Sequence, residues 1–201
     1  MPTRSTVYLV DDDSSIRRAL PAAIASRDYR VEVFDSAEAF LANYDGHSPG
    51  CAILDLNMPQ MNGLALQEEL INRRWSLPII FLSGYGTVEA ATRAMKSGAV
   101  YFFEKPIDPP VLVECIREAL QLDEANRKNH AHQLEIDSRL RRLTRRQREV
   151  LDLVVQGMSS RQIAEKLGRS IKTVEVHRSQ ILARMGAQGV AELIHMVLAP
   201  A

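Results

Sequence analysis

Residues 51–59 of the 201-residue chain are Cys-Ala-Ile-Leu-Asp-Leu-Asn-Met-Pro. Four consecutive apolar residues, without the alternation of a half-exposed strand, are typical of a strand buried on both faces. Asp55 interrupts the run, and Pro59 with Met-Asn-Gly at residues 61–63 marks a turn. The segment therefore predicts a strand of a parallel sheet that carries a carboxylate at its C-terminal end.

Similar apolar runs recur along the first 120 residues, and stretches with helical spacing of apolar residues separate them. The runs occupy residues 7–10, 31–34, 52–54, 79–82 and 100–103. Alternating strands and helices predict an α/β fold, because each crossover covers a face of a parallel sheet with a helix. We expect a flavodoxin-like, five-stranded parallel sheet of strand order 2-1-3-4-5 over residues 5–120.

The strand pattern stops after about residue 120. Residues 121–137 are polar and loosely periodic, which indicates a helical linker. Residues 138–201 contain four short helical segments, at 144–156, 160–167, 170–185 and 190–198, with good capping residues at their starts. The three-residue break at Gly168-Arg169-Ser170 has the length of the turn in a helix-turn-helix. This half is predicted to be an all-α, four-helix domain.

The charges of the two halves differ, although the whole chain has 25 basic and 25 acidic residues. Residues 1–120 contain 11 basic and 16 acidic side chains, whereas residues 138–201 contain 12 and 5. Such asymmetry indicates that the C-terminal half binds an anion such as nucleic acid. Cys51 and Cys115 lack metal-site spacing and are expected to be buried, reduced thiols. No apolar run is long enough to cross a membrane, so we expect a cytoplasmic protein with no membrane partner.

Polar side chains follow four of the predicted strands, at the point where each strand ends. They are Asp11 and Asp12, Asp55, Ser83 and Lys105. In a sheet of order 2-1-3-4-5 these four strands are neighbours, so the side chains should converge on one pocket beyond their carboxyl ends. Three carboxylates together require a cation, and hard oxygen ligands suit Mg²⁺.

A carboxylate in such a pocket can attack a phosphoryl donor and form an acyl phosphate. The metal and Lys105 would then neutralise charge on the phosphoryl oxygens, while Ser83 donates a hydrogen bond. A single Asp at a strand end is more often a turn or helix cap. Five such groups at four strand ends favour chemistry over capping.

Four motifs at these strand ends resemble those of response-regulator receiver domains. They are Val10-Asp11-Asp12, Leu54-Asp55-Leu56-Asn57-Met58-Pro59, Phe81-Leu82-Ser83-Gly84 and Phe103-Glu104-Lys105-Pro106. The resemblance implies that Asp55 accepts a phosphoryl group from a partner histidine kinase. It further implies that Asp12, Asp55 and the Asn57 carbonyl bind Mg²⁺, that Asp11 reaches the ion through water, and that Lys105-Pro106 is a cis peptide.

Phe102 matches the aromatic switch of receiver domains, which turns inward as the residue at Ser83 moves toward the phosphoryl group. Its alternative role is that of a plain core or edge-strand aromatic. The resemblance also implies a phosphorylation-dependent homodimer through the fourth helix, fifth strand and fifth helix, at about residues 88–120.

Three further motifs resemble the effector domain of the NarL/LuxR class, and with the receiver they make the chain similar to FixJ-type response regulators over nearly its full length. They are Leu143-Thr144-x-x-Gln147-Arg148-Glu149-Val150-Leu151, Ile163-Ala164-x-x-Leu167 and Lys172-Thr173-Val174-x-Val176-His177. The resemblance implies that the third helix of the domain enters the major groove of duplex DNA.

The positions that match base-reading residues are Glu175, Val176 and Ser179. The remaining candidates are assigned to phosphates: Arg161, Arg169, Lys172, Thr173, His177 and Arg178. The last helix resembles a dimerisation helix, with an apolar stripe of Val190, Leu193, Ile194 and Val197. Packing within the domain is the alternative for that stripe. Pairing about a two-fold axis would predict a pseudo-palindromic promoter site.

Two other functions are considered. A Mg²⁺-dependent phosphohydrolase with an aspartate nucleophile would use Asp11-x-Asp13, but Ser14-Ser15 follows where Thr or Val is expected, and the βα pattern leaves no room for a cap domain. A phosphorylation-independent DNA-binding protein with a vestigial receiver is the second. The complete pocket of Asp11, Asp12, Asp55, Ser83 and Lys105 argues against it. The sequence therefore predicts a phosphorylation-switched transcription factor that is not an enzyme.

Overall fold

A computed structural model of the chain describes residues 5–24 and 29–198. The chain separates into two compact units, one up to Arg127 and one from Lys128 onward. The predicted DNA-binding domain extends to residue 201, so residues 199–201 of that range lie outside the described part.

The first unit contains the predicted five-stranded sheet. Its strands are β1 (Ser5–Val10), β2 (Tyr29–Phe34), β3 (Gly50–Asp55), β4 (Ile79–Ser83) and β5 (Tyr101–Glu104). They are all parallel and lie in the order β2-β1-β3-β4-β5, which confirms the flavodoxin-like prediction. Val10 pairs with Leu54, Asp55 with Leu82 and Ser83 with Glu104, so the strands end at one edge.

Helices cover both faces of this sheet and explain why its central strands are apolar throughout. They are α1 (Ser14–Ile24), α2 (Ala37–Asn43), α3 (Gly63–Asn72), α4 (Val88–Lys96) and α5 (Pro109–Arg141). One core packs Leu54 and Phe81 of the strands against Phe40 of α2 and Leu66 of α3. The other core packs alternate strand residues such as Ile53 and Leu82 against Ile24, Leu112 and Ile116. Cys51 and Cys115 are buried and free, as predicted.

Residues 121–137, expected to form a helical linker, lie inside the 33-residue helix α5. Asp123 is 2% exposed and belongs to the first unit, where its Oδ2 accepts hydrogen bonds from the Gly50 amide (3.0 Å) and from Arg127 Nε (2.7 Å). Farther along the same helix, Ile136 is 2% exposed in the core of the second unit.

Up to residue 198, where the described part ends, the second unit contains four further helices: α6 (Arg145–Val155), α7 (Ser160–Leu167), α8 (Ile171–Met185) and α9 (Val190–Leu198). The predicted capping boxes form at Thr144 with Gln147 and at Ser159 with Gln162. Gly168 ends α7 in the left-handed conformation (φ 61°), which glycine adopts without steric cost. The sharp turn lets Ile163 of α7 and Val174 and Ile181 of α8 share one buried core. This is the all-α architecture that the sequence predicts.

In the described residues no single helix is both long and apolar enough to span a bilayer, and only α8 with α9 meets that criterion jointly, across a 59° bend.

Candidate functional site

The ammonium group of Lys105 bridges two carboxylates at the C-terminal edge of the sheet. Its Nζ lies 2.7 Å from Asp11 Oδ2 and 2.6 Å from Asp55 Oδ1. Asp11 directly follows β1, and Asp55 is the last residue of β3. The two strands are hydrogen-bonded neighbours, and Lys105 follows β5 on the far side of β4. The sheet therefore brings together three residues that are far apart in the sequence.

Ser83 lies at the end of β4, between the strands that carry Asp55 and Lys105, and is fully buried. Its carbonyl accepts a hydrogen bond from the Lys105 amide (2.8 Å), and its Oγ accepts one from the Tyr85 amide (3.2 Å). The Lys105-Pro106 peptide is cis, as the receiver resemblance implies. The backbone at Lys105 is thus fixed against the end of β4, and from there its side chain extends to the carboxylates of Asp11 and Asp55.

The loop after Asp55 packs closely under the carboxylate. Asp55 is 5% exposed, and its Oδ2 accepts a hydrogen bond from the Asn57 amide (2.6 Å). Gly63 starts α3 against this loop, and a Cβ there would lie 2.3 Å from the Asp55 carbonyl oxygen. Glycine is required at this position because of that close approach. Asp55 therefore has a fixed carboxylate with one oxygen bound to Lys105 and the other to the backbone.

The loop after β1 carries the remaining acidic residues. Asp11 is 1% exposed, and its Oδ1 accepts a hydrogen bond from the Asp13 amide (2.9 Å). Asp13 Oδ1 accepts one from the Ser15 amide (2.7 Å), as expected for a residue that caps α1. Asp12, between these two anchored residues, is exposed.

Burial and charge act on the ionisable groups of the pocket. Loss of water around Asp11 raises the pKa of its carboxyl, although its hydrogen bonds to Lys105 and to the Asp13 amide oppose this effect. Burial by itself lowers the pKa of Lys105, but hydrogen bonds and charges from Asp11 and Asp55 outweigh it, so the pKa is raised overall. Lys105 is therefore held as a cation between two buried acidic groups.

The buried carboxylates of Asp11 and Asp55 are hard oxygen donors of the kind that Mg²⁺ prefers. The other predicted ligands, Asp12 and the Asn57 carbonyl, are close to them in the sequence. The ammonium of Lys105 faces two buried carboxylates, so the pocket can accommodate further positive charge. Across residues 5–24 and 29–198, however, no three Asp, Glu, His or Cys side chains are gathered as a ready metal site. The donor set fits a divalent cation that is completed by other oxygens, such as those of water or a phosphoryl group.

Phe102 on β5 lies beside the loop that follows Ser83. Its ring is partly buried and packs against Phe81, with 5.9 Å between ring centroids. A Cβ at Gly86 would approach Phe102 Cε1 to 2.8 Å, so the glycine leaves room for the ring. The predicted switch residue is thus in direct contact with the segment that leads from Ser83 to α4.

The base-reading candidates lie on the solvent-facing side of α8. Glu175 and Ser179 are exposed, and Val176 is 48% exposed. Lys172 and Thr173 in the first turn are also exposed, as are Arg161 at the start of α7 and Arg169 in the turn. Each of these side chains is accessible to a ligand.

Two of the candidate residues on α8 are turned toward the domain instead. Arg178, assigned to a phosphate contact from the sequence, is half-buried, and its Nη1 lies 3.4 Å from the Met158 carbonyl oxygen. It follows Val174 by about one helical turn and therefore shares the inner face. His177 is also half-buried, and its Nδ1 has no hydrogen-bond partner among the described residues.

The apolar stripe of α9 contributes to the core of its own domain. Leu193 is 2% exposed in that core, and Val190 and Val197 pack against it while partly buried. Packing within the domain therefore accounts for these three residues, whereas Leu198 at the end of the helix is 60% exposed.

Sequence reasoning missed three structural features, of which the first two adjoin the acidic pocket and its switch residue. Arg17 Nη1 donates a hydrogen bond to the Asp11 carbonyl (2.7 Å). Gly86 accommodates Phe102, and Asp123 ties α5 to Gly50. The sequence indicates the role of Arg17 only by a basic residue one turn into the helix that follows an acidic loop. Gly86 and Asp123 have partners that are distant in the sequence, so no local pattern indicates their roles.

Comparison with known proteins gives matches to both halves. Residues 7–117 match the response regulator receiver domain family, and residues 141–197 match the luxR family of bacterial regulatory proteins. The transcriptional regulatory protein TdiR of Thauera aromatica is 40% identical over 195 residues, covering 96% of this chain and 86% of TdiR. The transcriptional regulatory protein FixJ of Rhizobium meliloti is 38% identical over 205 residues, covering 98% and 97%.

Solved structures give the same result. The response regulator StyR superposes with a TM-score of 0.83 at 36% identity, over 96% of this chain and 98% of StyR. Full-length FixJ from B. japonicum superposes with a TM-score of 0.60 at 33% identity, over 98% and 97%.

Proposed function

The chain belongs to the response regulators that join a receiver domain to a LuxR-type DNA-binding domain, and we propose that Asp55 is the phosphoryl acceptor by which it is switched. Its function is that of a two-component transcription regulator. The observation that carries the assignment of Asp55 is the Lys105 ammonium 2.6 Å from its Oδ1, at the end of the central strand.

In the proposed transfer, a carboxylate oxygen of Asp55 forms a bond to phosphorus. The bond from phosphorus to the donor breaks, and its electron pair leaves with the donor, an imidazole nitrogen of a sensor histidine kinase or the acetate oxygen of acetyl phosphate. The product is an acyl phosphate on Asp55. Lys105 stabilises negative charge on the phosphoryl oxygens, and the hydroxyl of Ser83 donates a hydrogen bond to one of them.

Receiver domains generally use Mg²⁺, and we propose that Asp12, Asp55 and the Asn57 carbonyl hold it here, with Asp11 reaching it through water. When bound, the ion supplies positive charge that offsets the phosphoryl oxygens and the carboxylates. Two buried carboxylates facing one ammonium support this assignment. The side chain of Asp11 would then orient Lys105 and the bound water.

The proposed output is a change in dimerisation and in DNA binding. The phosphoryl group replaces the single charge of the carboxylate by about −1.5 to −2 charges and brings strong hydrogen-bond acceptors beside Ser83, which can rearrange the neighbouring loop. Phe102 contacts that loop at Gly86 and would transmit the change to the face formed by α4, β5 and α5. We propose that this face forms the phosphorylation-dependent homodimer and that α9 adds to it.

The proposed DNA contacts use the exposed surface of α7 and α8. Glu175, Val176 and Ser179 would contact bases, and the basic residues around them would contact phosphates. A dimer would then bind a pseudo-palindromic promoter site. Since both DNA and the catalytic domain of a sensor kinase are found in the cytoplasm, the protein is proposed to work there.

The receiver is proposed to assist only its own phosphorylation and dephosphorylation, without turning over an external phosphoester as an enzyme does. A phosphohydrolase would consume many equivalents of a phosphoester per chain. This protein is expected to consume a phosphodonor only as fast as its own acyl phosphate hydrolyses.

The test compares wild-type protein with Asp55→Asn in the presence of Mg²⁺, with and without acetyl phosphate. We expect only the wild type to gain mass for one phosphoryl group, to dimerise in sedimentation experiments and to bind promoter DNA more tightly. Phosphorylation of Asp55→Asn at the wild-type level would refute the assignment of Asp55. Equal DNA binding by both proteins, unaffected by the donor, would support a vestigial receiver.

A further inference from the structure

We infer that Arg17 is a positioning residue for the phosphoryl-transfer pocket, because its side chain fixes the loop that carries Asp11 and Asp12. The inference rests on the proposed Mg²⁺ site and extends it to a residue that does not touch the reacting groups. Arg17 acts on the backbone of Asp11 rather than on its carboxylate.

Besides the bonds that the Asp11 carboxylate makes with Lys105 and with the Asp13 amide, backbone hydrogen bonds hold the loop at its two ends. The Asp11 amide donates to the Phe34 carbonyl (3.2 Å), which is the last link to the sheet. Asp13 is fixed from the other side, since it caps α1 and its carbonyl accepts from the Arg17 amide (3.1 Å). The part between them must reverse direction from strand to helix.

The side chain of Arg17 joins the two ends of this turn. Its half-buried guanidinium donates from Nη1 to the Asp11 carbonyl at 2.7 Å, across six residues of sequence. The end of β1 and the first turns of α1 are therefore joined by one side chain. Asp12 lies inside the closed loop and is exposed, so its direction is determined by the residues on either side.

Groups that orient metal ligands from behind affect metal affinity strongly, and their loss typically weakens binding or activity by about 10–100-fold. Removal of Arg17 frees the Asp11 carbonyl and allows the peptide before Asp12 to rotate. A carboxylate that must be ordered on binding has a lower affinity than one already ordered. The expected result is weaker Mg²⁺ binding, with the chemistry of Asp55 itself left intact.

Arg18 offers a matched control on the same helix. It is exposed, and it donates to the carbonyl of Ser14 (3.0 Å) within its own helix. Arg17→Ala and Arg18→Ala remove the same charge and the same number of atoms from adjacent positions. Only the first removes the bond to Asp11.

The experiment measures Mg²⁺ affinity of the full-length protein by isothermal titration calorimetry, together with phosphorylation by acetyl phosphate at varied Mg²⁺. We expect Arg17→Ala to raise the Mg²⁺ dissociation constant about tenfold. The Mg²⁺ concentration for half-maximal phosphorylation should rise by the same factor, and the rate at saturating Mg²⁺ should stay close to that of wild type. Arg18→Ala should match wild type in all three quantities.

Two further measurements separate positioning from damage to the fold. Arg17→Lys keeps a long cationic donor and should recover most of the affinity. In metal-free protein, hydrogen exchange of the Asp13 amide, which donates to Asp11, should be faster in Arg17→Ala than in Arg18→Ala.

Equal Mg²⁺ affinity in Arg17→Ala and Arg18→Ala would overturn the inference, as would a loss of maximal rate with no change in affinity. Failure of Arg17→Lys to recover affinity in a folded protein would also overturn it. If wild-type protein bound no Mg²⁺, the proposed metal site would itself be wrong, and the inference would fall with it.

Discussion

The carboxylate of Asp123 accepts a hydrogen bond from the backbone amide of Gly50 at 3.0 Å, across 73 residues of sequence. Asp123 Oδ2 also binds Arg127 Nε at 2.7 Å, and Arg127 Nη2 donates to the Ser48 carbonyl at 2.8 Å. These bonds join a turn near the middle of α5 to the start of β3, at the edge of the sheet opposite Asp55. The helix is therefore part of the receiver fold well beyond the apolar residues that anchor its first turns.

We expect Asp123→Ala to destabilise the receiver by about 3 kcal/mol, because it removes one partner of a buried ion pair and leaves the Gly50 amide unpaired. Trp75, the single tryptophan, lies in the receiver unit, so its fluorescence during urea denaturation follows this unit alone. Arg117→Ala on the same helix breaks an exposed pair with Glu114 and should cost less than about 1 kcal/mol. Equal urea midpoints for Asp123→Ala and Arg117→Ala would contradict a stabilising role for the bonds of Asp123.

The contact between Gly86 and Phe102 leads to a second prediction. Gly86→Ala would place a Cβ 2.8 Å from Phe102 Cε1, so the ring must move. We expect phosphorylation by acetyl phosphate to proceed as in wild type, while the phosphorylation-dependent gain in dimer changes several-fold, since the pocket is intact and the proposed switch is not.

Gly84→Ala is the control for this change. A Cβ at Gly84 meets nothing within 4 Å, although the residue lies in the same loop. Sedimentation velocity with and without phosphodonor measures the dimer in each variant. If Gly84→Ala and Gly86→Ala shift the dimer equally, the effect comes from loop stiffness and not from Phe102.

Much of the fold and of the acidic pocket could be predicted from the sequence, for physical reasons. The side chains of Ala52, Ile53 and Leu54 alternate between the two faces of the sheet, and all three are buried. Burial on both faces explains why the apolar run is uninterrupted. Asp11, Asp55 and Lys105 can be recognised in the sequence as a candidate site because burying a charged side chain at the end of an apolar strand costs free energy, unless an opposite charge pairs with it. Parallel strands bring those ends together, so the pocket follows from the topology.

Other features depend on contacts that no local pattern records. The polar, loosely periodic residues 121–137 indicate a helical linker, but nothing in that pattern shows that its helix continues without a break from the last helix of the receiver. Arg178 resembles an outward DNA contact by residue type, but its place one turn after buried Val174 turns it toward Met158. The role of Arg17 depends on the carbonyl of Asp11, and a carbonyl has no signature in a sequence.

The two cysteines provide a prediction about pH. Burial raises the pKa of the Cys51 thiol to about 12, and burial with Glu118 and Glu114 raises that of Cys115. The thiolate is the reactive form, so a raised pKa lowers reactivity. A thiol whose pKa is higher in the folded state stabilises the fold below its unfolded pKa, about 8.5, and this contribution is lost as the pH rises toward 12.

We therefore expect native protein at pH 8.5 to react slowly with an aromatic disulfide reagent. Unfolded protein should react at once and release about two equivalents of the reagent's aromatic thiolate per chain. Cys51→Ala should leave one equivalent after unfolding and should be less sensitive to unfolding at alkaline pH than wild type. Rapid reaction of Cys51 in the native state would show that its burial is relieved by local opening.

The surface of α8 leads to the last prediction, which separates base contacts from phosphate contacts. Lys172 and Val176 are both exposed and lie one helical turn apart, and we assign the first to a phosphate and the second to a base. Duplexes selected from a random pool by the phosphorylated protein supply the target site. Lys172→Gln should weaken binding to selected and unrelated duplexes alike, and should reduce the slope of log affinity against log salt by about 0.9. Val176→Ala should leave that slope unchanged and relax preference at one base pair, at a cost of about 1 kcal/mol.

Lys166→Gln, an exposed charge change on α7 outside the proposed contacts, controls for general electrostatics. Fluorescence anisotropy over a series of salt concentrations measures all three, and a Lys172→Gln protein with an unchanged slope but an altered base preference would make Lys172 a base-reading residue.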